Sequence, residues 1–166
     1  MDAERGFSIR PLRKDEIELL LDLIEEVAEE RKWIGTEPPI PRERWREGFE
    51  SNLDDGYCVN LAAVDAADRL IGQLDARGQA ERPAEIGMAV AKDWRGQGVG
   101  TALMQACVDW AGERGVHKLT LQVWPHNEEA LRLYEKFGFE REGLLRGHYR
   151  RQNGELWDAV VMGLLL

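Results

Sequence analysis

Arg95-Gly96-Gln97-Gly98-Val99-Gly100 stands where a strand should hand over to a helix. On its N-terminal side, Ala84-Glu85-Ile86-Gly87-Met88-Ala89-Val90 carries Ile86, Met88 and Val90 at the two-residue period of a half-buried strand. On its C-terminal side, Val99, Ala102, Leu103, Ala106, Cys107 and Trp110 fall on one face of a helix. Glycines at such a junction let the main chain approach a ligand closely, and the free N–H groups of the helix's first turn point at it. The helix dipole favours anions there, so a phosphate or pyrophosphate is the expected guest. A glycine-rich turn without a ligand is the alternative that the loop alone leaves open.

Two phosphate-binding templates fail on spacing. Gly96, Gly98 and Gly100 fall as G-x-G-x-G, not the G-x-G-x-x-G of a dinucleotide site, and Thr101 follows Gly100 without the lysine of a P-loop. A second informative segment lies downstream. Lys118-Leu119-Thr120-Leu121-Gln122-Val123-Trp124 alternates like a strand, Pro125 stops it, and Asn127 is a good N-cap. Ala130, Leu131, Tyr134 and Phe137 then hold helical spacing, and Gly138 suits the end of the helix.

Arg95, Gly98 and Gly100 resemble the acyl-CoA loop of the GNAT acetyltransferases: Gln or Arg, two residues, Gly, one residue, then Gly or Ala. Asn127 through Tyr134 to Gly138-Phe139 resembles the second motif of that family, in the same order and at a similar separation. The likeness is strong from Ile86 to Phe139. Leu145-Arg146-Gly147-His148-Tyr149-Arg150, with Asn153-Gly154 and Asp158, resembles the tail of a bacterial subgroup that includes ribosomal-protein and spermidine N-acetyltransferases.

The rest of the chain fits one compact domain spanning residues 1–166. Ser8 to Leu12 suits a short strand ended by Pro11, and Ile17, Leu20, Leu21, Ile24, Val27 and Ala28 mark an amphipathic helix. A loop with three prolines runs from Trp33 to Pro41, and a short helix carries Trp45, Phe49 and Leu53. Tyr57 to Val64 pairs with Leu70 to Arg77, and Glu140 to Tyr149 with Leu156 to Leu164 around Asn153-Gly154. This order predicts an α+β fold, and the resemblance makes it a GNAT-like three-layer sandwich: a mixed central β-sheet flanked by helices.

Composition narrows the function classes. The 166 residues are 43% hydrophobic and 32% charged, as in a soluble globular protein. Lys+Arg 22 against Asp+Glu 31 gives a net charge of -9, which argues against a nucleic-acid partner. It suits a cationic acceptor, or simply solubility; Glu25, Glu26, Glu29 and Glu30 read as a solvated helix face. No apolar run approaches a membrane span, and Met1-Asp2-Ala3-Glu4-Arg5 lacks the order of a signal peptide, so a cytoplasmic protein without membrane contact is expected. Cys58 and Cys107 lie far apart, His117 and His126 have no ligand-like partners, and no metal is expected.

The resemblance implies acetyl-CoA as co-substrate and direct acetyl transfer to an amine, without an acyl-enzyme. Arg95, Gly96, Gln97, Gly98, Val99, Gly100 and Thr101 would hold the pyrophosphate through main-chain N–H groups. Met88, Ala89 and Val90 would pair edge-to-edge with the pantetheine arm, one of their N–H groups polarising the thioester carbonyl. Tyr134 is the expected acid for the departing thiolate, core packing being its other reading. Asn127 is expected to contact the cofactor arm, to cap its helix, or both. Glu85 is the candidate base, and a solvated strand residue otherwise.

Acceptor contacts are expected from Trp33 and Glu37 between the first two helices, and from His148 and Tyr149 near the last turn. The expected acceptor is a small-molecule amine such as a polyamine or an amino acid, with a peptide N-terminus as the alternative. A non-catalytic acyl-CoA sensor is the rival from another class. A homodimer is expected, with Val160 to Leu166 as either a pairing edge or a buried last strand.

Overall fold

The computed structural model describes residues 6–166; the opening segment on which the signal-peptide reading rests lies outside the described residues. The chain runs β1 (Phe7–Pro11), a 3-10 turn at Lys14–Glu16, α1 (Ile17–Glu29), α2 (Arg42–Leu53), β2 (Cys58–Asp65), β3 (Leu70–Gln79) and β4 (Arg82–Val90). A 3-10 turn at Lys92–Trp94 leads to α3 (Val99–Arg114), β5 (Lys118–Val123), α4 (Glu128–Lys136), β6 (Glu140–Arg150) and β7 (Leu156–Leu165). The order of strands and helices is the expected one.

All seven strands form one sheet in the order β1-β2-β3-β4-β5-β7-β6. Every neighbouring pair is antiparallel except β4 and β5, which makes the sheet mixed. On one face, Val99, Leu103, Met104 and Cys107 of α3 pack with Leu74, Ile86 and Leu121 of the strands. On the other face, Leu20, Leu21 and Ile24 of α1 pack with Ala62 and Val64 of β2, and Trp45, Phe49 and Leu53 of α2 lean on the same layer. Helices on both faces give the three-layer α+β sandwich.

Local chemistry sets the ends of the helices around the loop. The Asn127 side chain accepts from Ala130 N–H at 3.3 Å and opens α4. The helix closes with Phe139 N–H on the Tyr134 carbonyl at 3.1 Å, while Gly138 takes φ +94°. β7 lies between β5 and β6, so Val160 to Leu165 is an inner strand and the free edges belong to β1 and β6.

The parallel pair is short. Only Ala84 opposite Leu119 and Glu85 opposite Thr120 are in register. Beyond Glu85 the two strands part, while β4 stays paired to β3 as far as Val90 opposite Gly72. The side of β4 facing β5 is therefore left without a strand partner from Ile86 to Val90.

Candidate active site

One cavity of about 1020 Å³ occupies this gap and reaches both faces of the sheet. At one mouth lie Gly96, Gly98, Gly100, Thr101, Asn127 and Tyr134; at the other, Gln73, Asp75, Glu85, Trp45 and Phe49. Met88, Ala89 and Val90 line it between them.

The loop mouth offers free donors that could take an anion. No N–H from Gly96 to Thr101 finds an acceptor among the described residues; the first helical bond is Ala102 N–H to Gly98 O at 3.0 Å. Gly98 has φ +88°, which side chains other than glycine rarely tolerate, and a Cβ there would meet nothing within 4 Å. Glycine is required by the backbone twist, not by crowding. Exposed Arg132 and Lys136 of α4 add positive charge to the same cavity.

The Arg95 side chain is occupied elsewhere. Its Nε donates to Val90 O at 3.0 Å, and its terminal nitrogens donate to Glu30 at 2.9 and 2.6 Å. Trp33 Nε1 donates to the same carboxylate at 2.8 Å. Arg95 holds the Glu30 carboxyl below the usual carboxylate range. Glu30 is therefore not part of a solvated charge run; it ties the end of α1 to the loop. Glu25 is likewise engaged, by Arg42 at 2.8 Å. Gln97 lies outside the cavity lining, donating to Asp93 O at 2.7 Å.

Tyr134 lines the cavity yet is only 8% exposed, with Phe139 beside it at a ring separation of 5.8 Å. No described hydrogen bond engages its hydroxyl, and burial pushes it up to about 12. It packs in the core and borders the gap at once. Asn127 also combines two positions, capping α4 and lining the cavity.

On the acceptor side, Trp33 and Tyr149 line the cavity, and the Tyr149 hydroxyl donates to Gln122 at 2.6 Å. Glu37 and His148 do not line it. The Glu37 carboxylate accepts from Arg31 at 3.2 Å and from Gln152 N–H at 2.8 Å, with Arg151 at 3.7 Å, so its charge is already matched. His148 is an exposed β6 residue beside Tyr149. Buried Arg151 stacks on Trp157 at 4.3 Å and donates to Gly35 O at 2.9 Å. His126 Nε2 meets Lys32 O at 2.8 Å. These contacts hold the α1–α2 loop, and Trp33 with it, against the final hairpin and the β5–α4 turn.

Glu85 is exposed on the floor of the gap, opposite Arg77 across β3 and β4. Sequence reasoning missed its neighbours Asp75, Gln73 and Arg77. The alternation of Leu74 and Ala76 with those polar residues marks a strand with one polar face, and nothing local says that α1 and α2 cover that face. Neither cysteine lines the cavity; burial raises both thiols, Cys107 to about 12.

The acetyltransferase (GNAT) family model matches residues 20–139. The chain belongs to that family. An L-amino acid N-acetyltransferase of Escherichia coli is 32% identical over 122 residues, which cover 71% of this chain and 73% of the relative. A ribosomal protein bS18-alanine N-acetyltransferase of Escherichia coli is 38% identical over 77 residues, 46% of this chain and 51% of that one. A spermidine N-acetyltransferase from Vibrio cholerae, solved in complex with CoA and spermine, superposes with a TM-score of 0.80 at 24% identity, covering 96% of this chain and 95% of that structure. The family resemblance of the two motifs thus holds, with ribosomal-protein-alanine and amino acid N-acetyltransferases among the relatives, and the chain is an acetyl-CoA-dependent N-acetyltransferase. Among the described residues no helix is long and apolar enough to cross a membrane.

Proposed function

We propose that this GNAT enzyme acetylates the primary amine of a small molecule by direct transfer. The observation that carries the reading is the single cavity joining the unpaired N–H groups of Gly96–Thr101 to the polar floor under α1 and α2. A cofactor arm and an amine entering from opposite mouths would meet beside Met88 to Val90. Bound there, acetyl-CoA supplies the acetyl group as an activated thioester.

The residues divide the work. The loop N–H groups and the first turn of α3 bind the pyrophosphate. The unpaired side of β4 orients the arm by strand-like hydrogen bonds, and one of its N–H groups polarises the thioester carbonyl. Tyr134, whose high pKa keeps it protonated at any working pH, donates to the leaving sulfur. Trp33 and Tyr149 wall the acceptor mouth. The L-amino acid N-acetyltransferase relative, which matches over 71% of this chain against 46% for the ribosomal-protein relative, supports a small amine over a peptide N-terminus.

Thiol release from acetyl-CoA, measured against spermidine, amino acids, N-terminal peptides and a no-acceptor control, tests this. Acceptor-dependent release is expected for the small amines. Tyr134→Phe should lower kcat about 10²-fold with little change in the KM for acetyl-CoA. Tight cofactor binding without turnover on any amine would make the chain a sensor instead.

A further inference from the structure

The floor of the acceptor mouth holds a carboxylate with no structural employment that would account for its burial. Asp75 is 7% exposed, in the middle of β3, on the sheet face that α1 and α2 cover. Its one ion pair among the described residues is Arg77 Nε at 3.1 Å, and that arginine side chain is itself 55% exposed. An exposed partner compensates little of the cost of removing a carboxylate from water.

Beyond the Gln73 side chain and its own main-chain N–H, its surroundings are poor in donors. Asn60, the register partner of Asp75 on β2, is buried with no hydrogen bond to Oδ1. On the other side, Gly87 of β4 is in register, and a Cβ built there would lie 2.9 Å from Asp75 Oδ1. The carboxylate therefore lies over the main chain of the strand whose far side is open to the gap. Both Asp75 and Gly87 line the cavity. The other titratable groups around it are Glu85 on β4, Cys58 on β2 and Cys107 of α3 behind the sheet. From α1 and α2 the cavity receives Ile24, Val27, Trp45, Phe49 and Arg44.

Resting on the transferase reading, we propose that Asp75 seats the acceptor's ammonium group and takes the proton that must leave before the nitrogen can attack. The proton passes from R–NH3+ to the Asp75 carboxylate, leaving R–NH2 and a neutral carboxylic acid. The nitrogen lone pair then forms the N–C bond as the C–S bond breaks. The second nitrogen proton replaces the one that Tyr134 gives to the sulfur. Asp75 returns its proton to water at the mouth, where Glu85 is exposed. Substrate ammonium is thereby selected over neutral or quaternary ends.

Burial pushes Asp75 up to about 6, with Arg77 and Gln73 pulling the other way and Glu85 adding to the rise. A base with that affinity is half ionised just below neutrality, where it both binds a cation and accepts its proton.

Two readouts test the assignment. In the first, the carboxyl carbon of Asp75 is followed by NMR from pH 4 to 8 in the CoA-saturated protein, assigned by its loss in Asp75→Asn. Butylammonium should shift the midpoint down by at least half a pH unit, and butyltrimethylammonium at equal ionic strength should not. An equal response to both overturns the proposal. In the second, kcat/KM against pH is measured for the best acceptor. The acid limb near pH 6 should vanish in Asp75→Asn, with rate down at least 100-fold and the KM for acetyl-CoA unchanged, and should persist in Glu85→Gln. A limb that moves with Glu85→Gln alone, or full activity in Asp75→Asn, overturns the proposal and leaves the transferase intact. A selective NMR shift without turnover on any amine keeps Asp75 as an ammonium seat and removes the transferase reading.

Discussion

Asp75 and Tyr134 are buried polar groups whose titration is shifted in the same direction, and the shifts have consequences for stability as well as for chemistry. The folded protein holds a proton on Asp75 up to about pH 6, the unfolded chain only to its usual 3.8. Between those values the folded state binds more protons, so stability falls as pH rises through the window and stays lower above it. The rise corresponds to about 3 kcal/mol at 1.36 kcal/mol per pH unit. Asp75→Asn should therefore melt higher than wild type at pH 8, by roughly 5–10 °C, with the gap closing at pH 4. Thermal melts across that range check it; equal melting at both ends would mean that the buried carboxylate is not strained. A variant that gains stability while losing activity is the behaviour expected of a catalytic group and the reverse of a packing residue.

At the scale of elements, the first turn of α3 and the unpaired side of β4 are, in the proposed mode of binding, two halves of one surface. Each offers main-chain N–H groups that the fold itself does not use. The loop between them has to turn through Gly98 at φ +88° to aim the helix at the gap. A β-branched residue at that position is strained by more than the ~1–2 kcal/mol of an ordinary left-handed residue. Gly98→Val should raise the KM for acetyl-CoA at least 10-fold while α3, whose Val99, Leu103, Met104 and Cys107 are buried, stays folded by circular dichroism. An unchanged KM would separate the loop from the cofactor. The Arg95–Glu30 bridge works at the same scale: it pins the C-terminal end of α1 to this loop, and Trp33, which lines the cavity, donates to the same carboxylate.

For the whole molecule, the parted strands divide the sheet into β1–β4 and β5–β7–β6, joined edge to edge only at Ala84–Leu119 and Glu85–Thr120. A ligand that lies along β4 in the gap adds contacts to both halves and stabilises the native state through linkage. Acetyl-CoA at 100 times its Kd should add about 2.7 kcal/mol, a melting increase of roughly 5–10 °C. Differential scanning calorimetry reads this directly. A shift of that size from adenine nucleotide alone would mean that the loop, and not the gap, takes up the binding energy.

The elements and the anion loop were legible in the sequence because their signals are local. Helical spacing marks α1 and α3, Asn127 caps α4, Gly138 closes it, and the glycines announce the turn at Gly98. Tyr134 was legible for the same reason, as one position in a short motif. Glu37, Glu30 and Asp75 were not, because the meaning of a charge depends on what the fold brings to it. Glu37 is neutralised by Arg31 and the distant Arg151, and Glu30 by Arg95, partners that chain spacing does not show. Asp75 alternates along β3 like any solvent-facing residue. Only the packing of α1 and α2 over that face takes it out of water, and only the parting of β4 from β5 gives it a cavity to face. Periodicity and caps are decided by neighbours in the chain, so the sequence by itself determined the elements and the glycine turn between β4 and α3; burial and charge pairing are decided by neighbours in space, so the polar floor of the cavity was left to the tertiary structure.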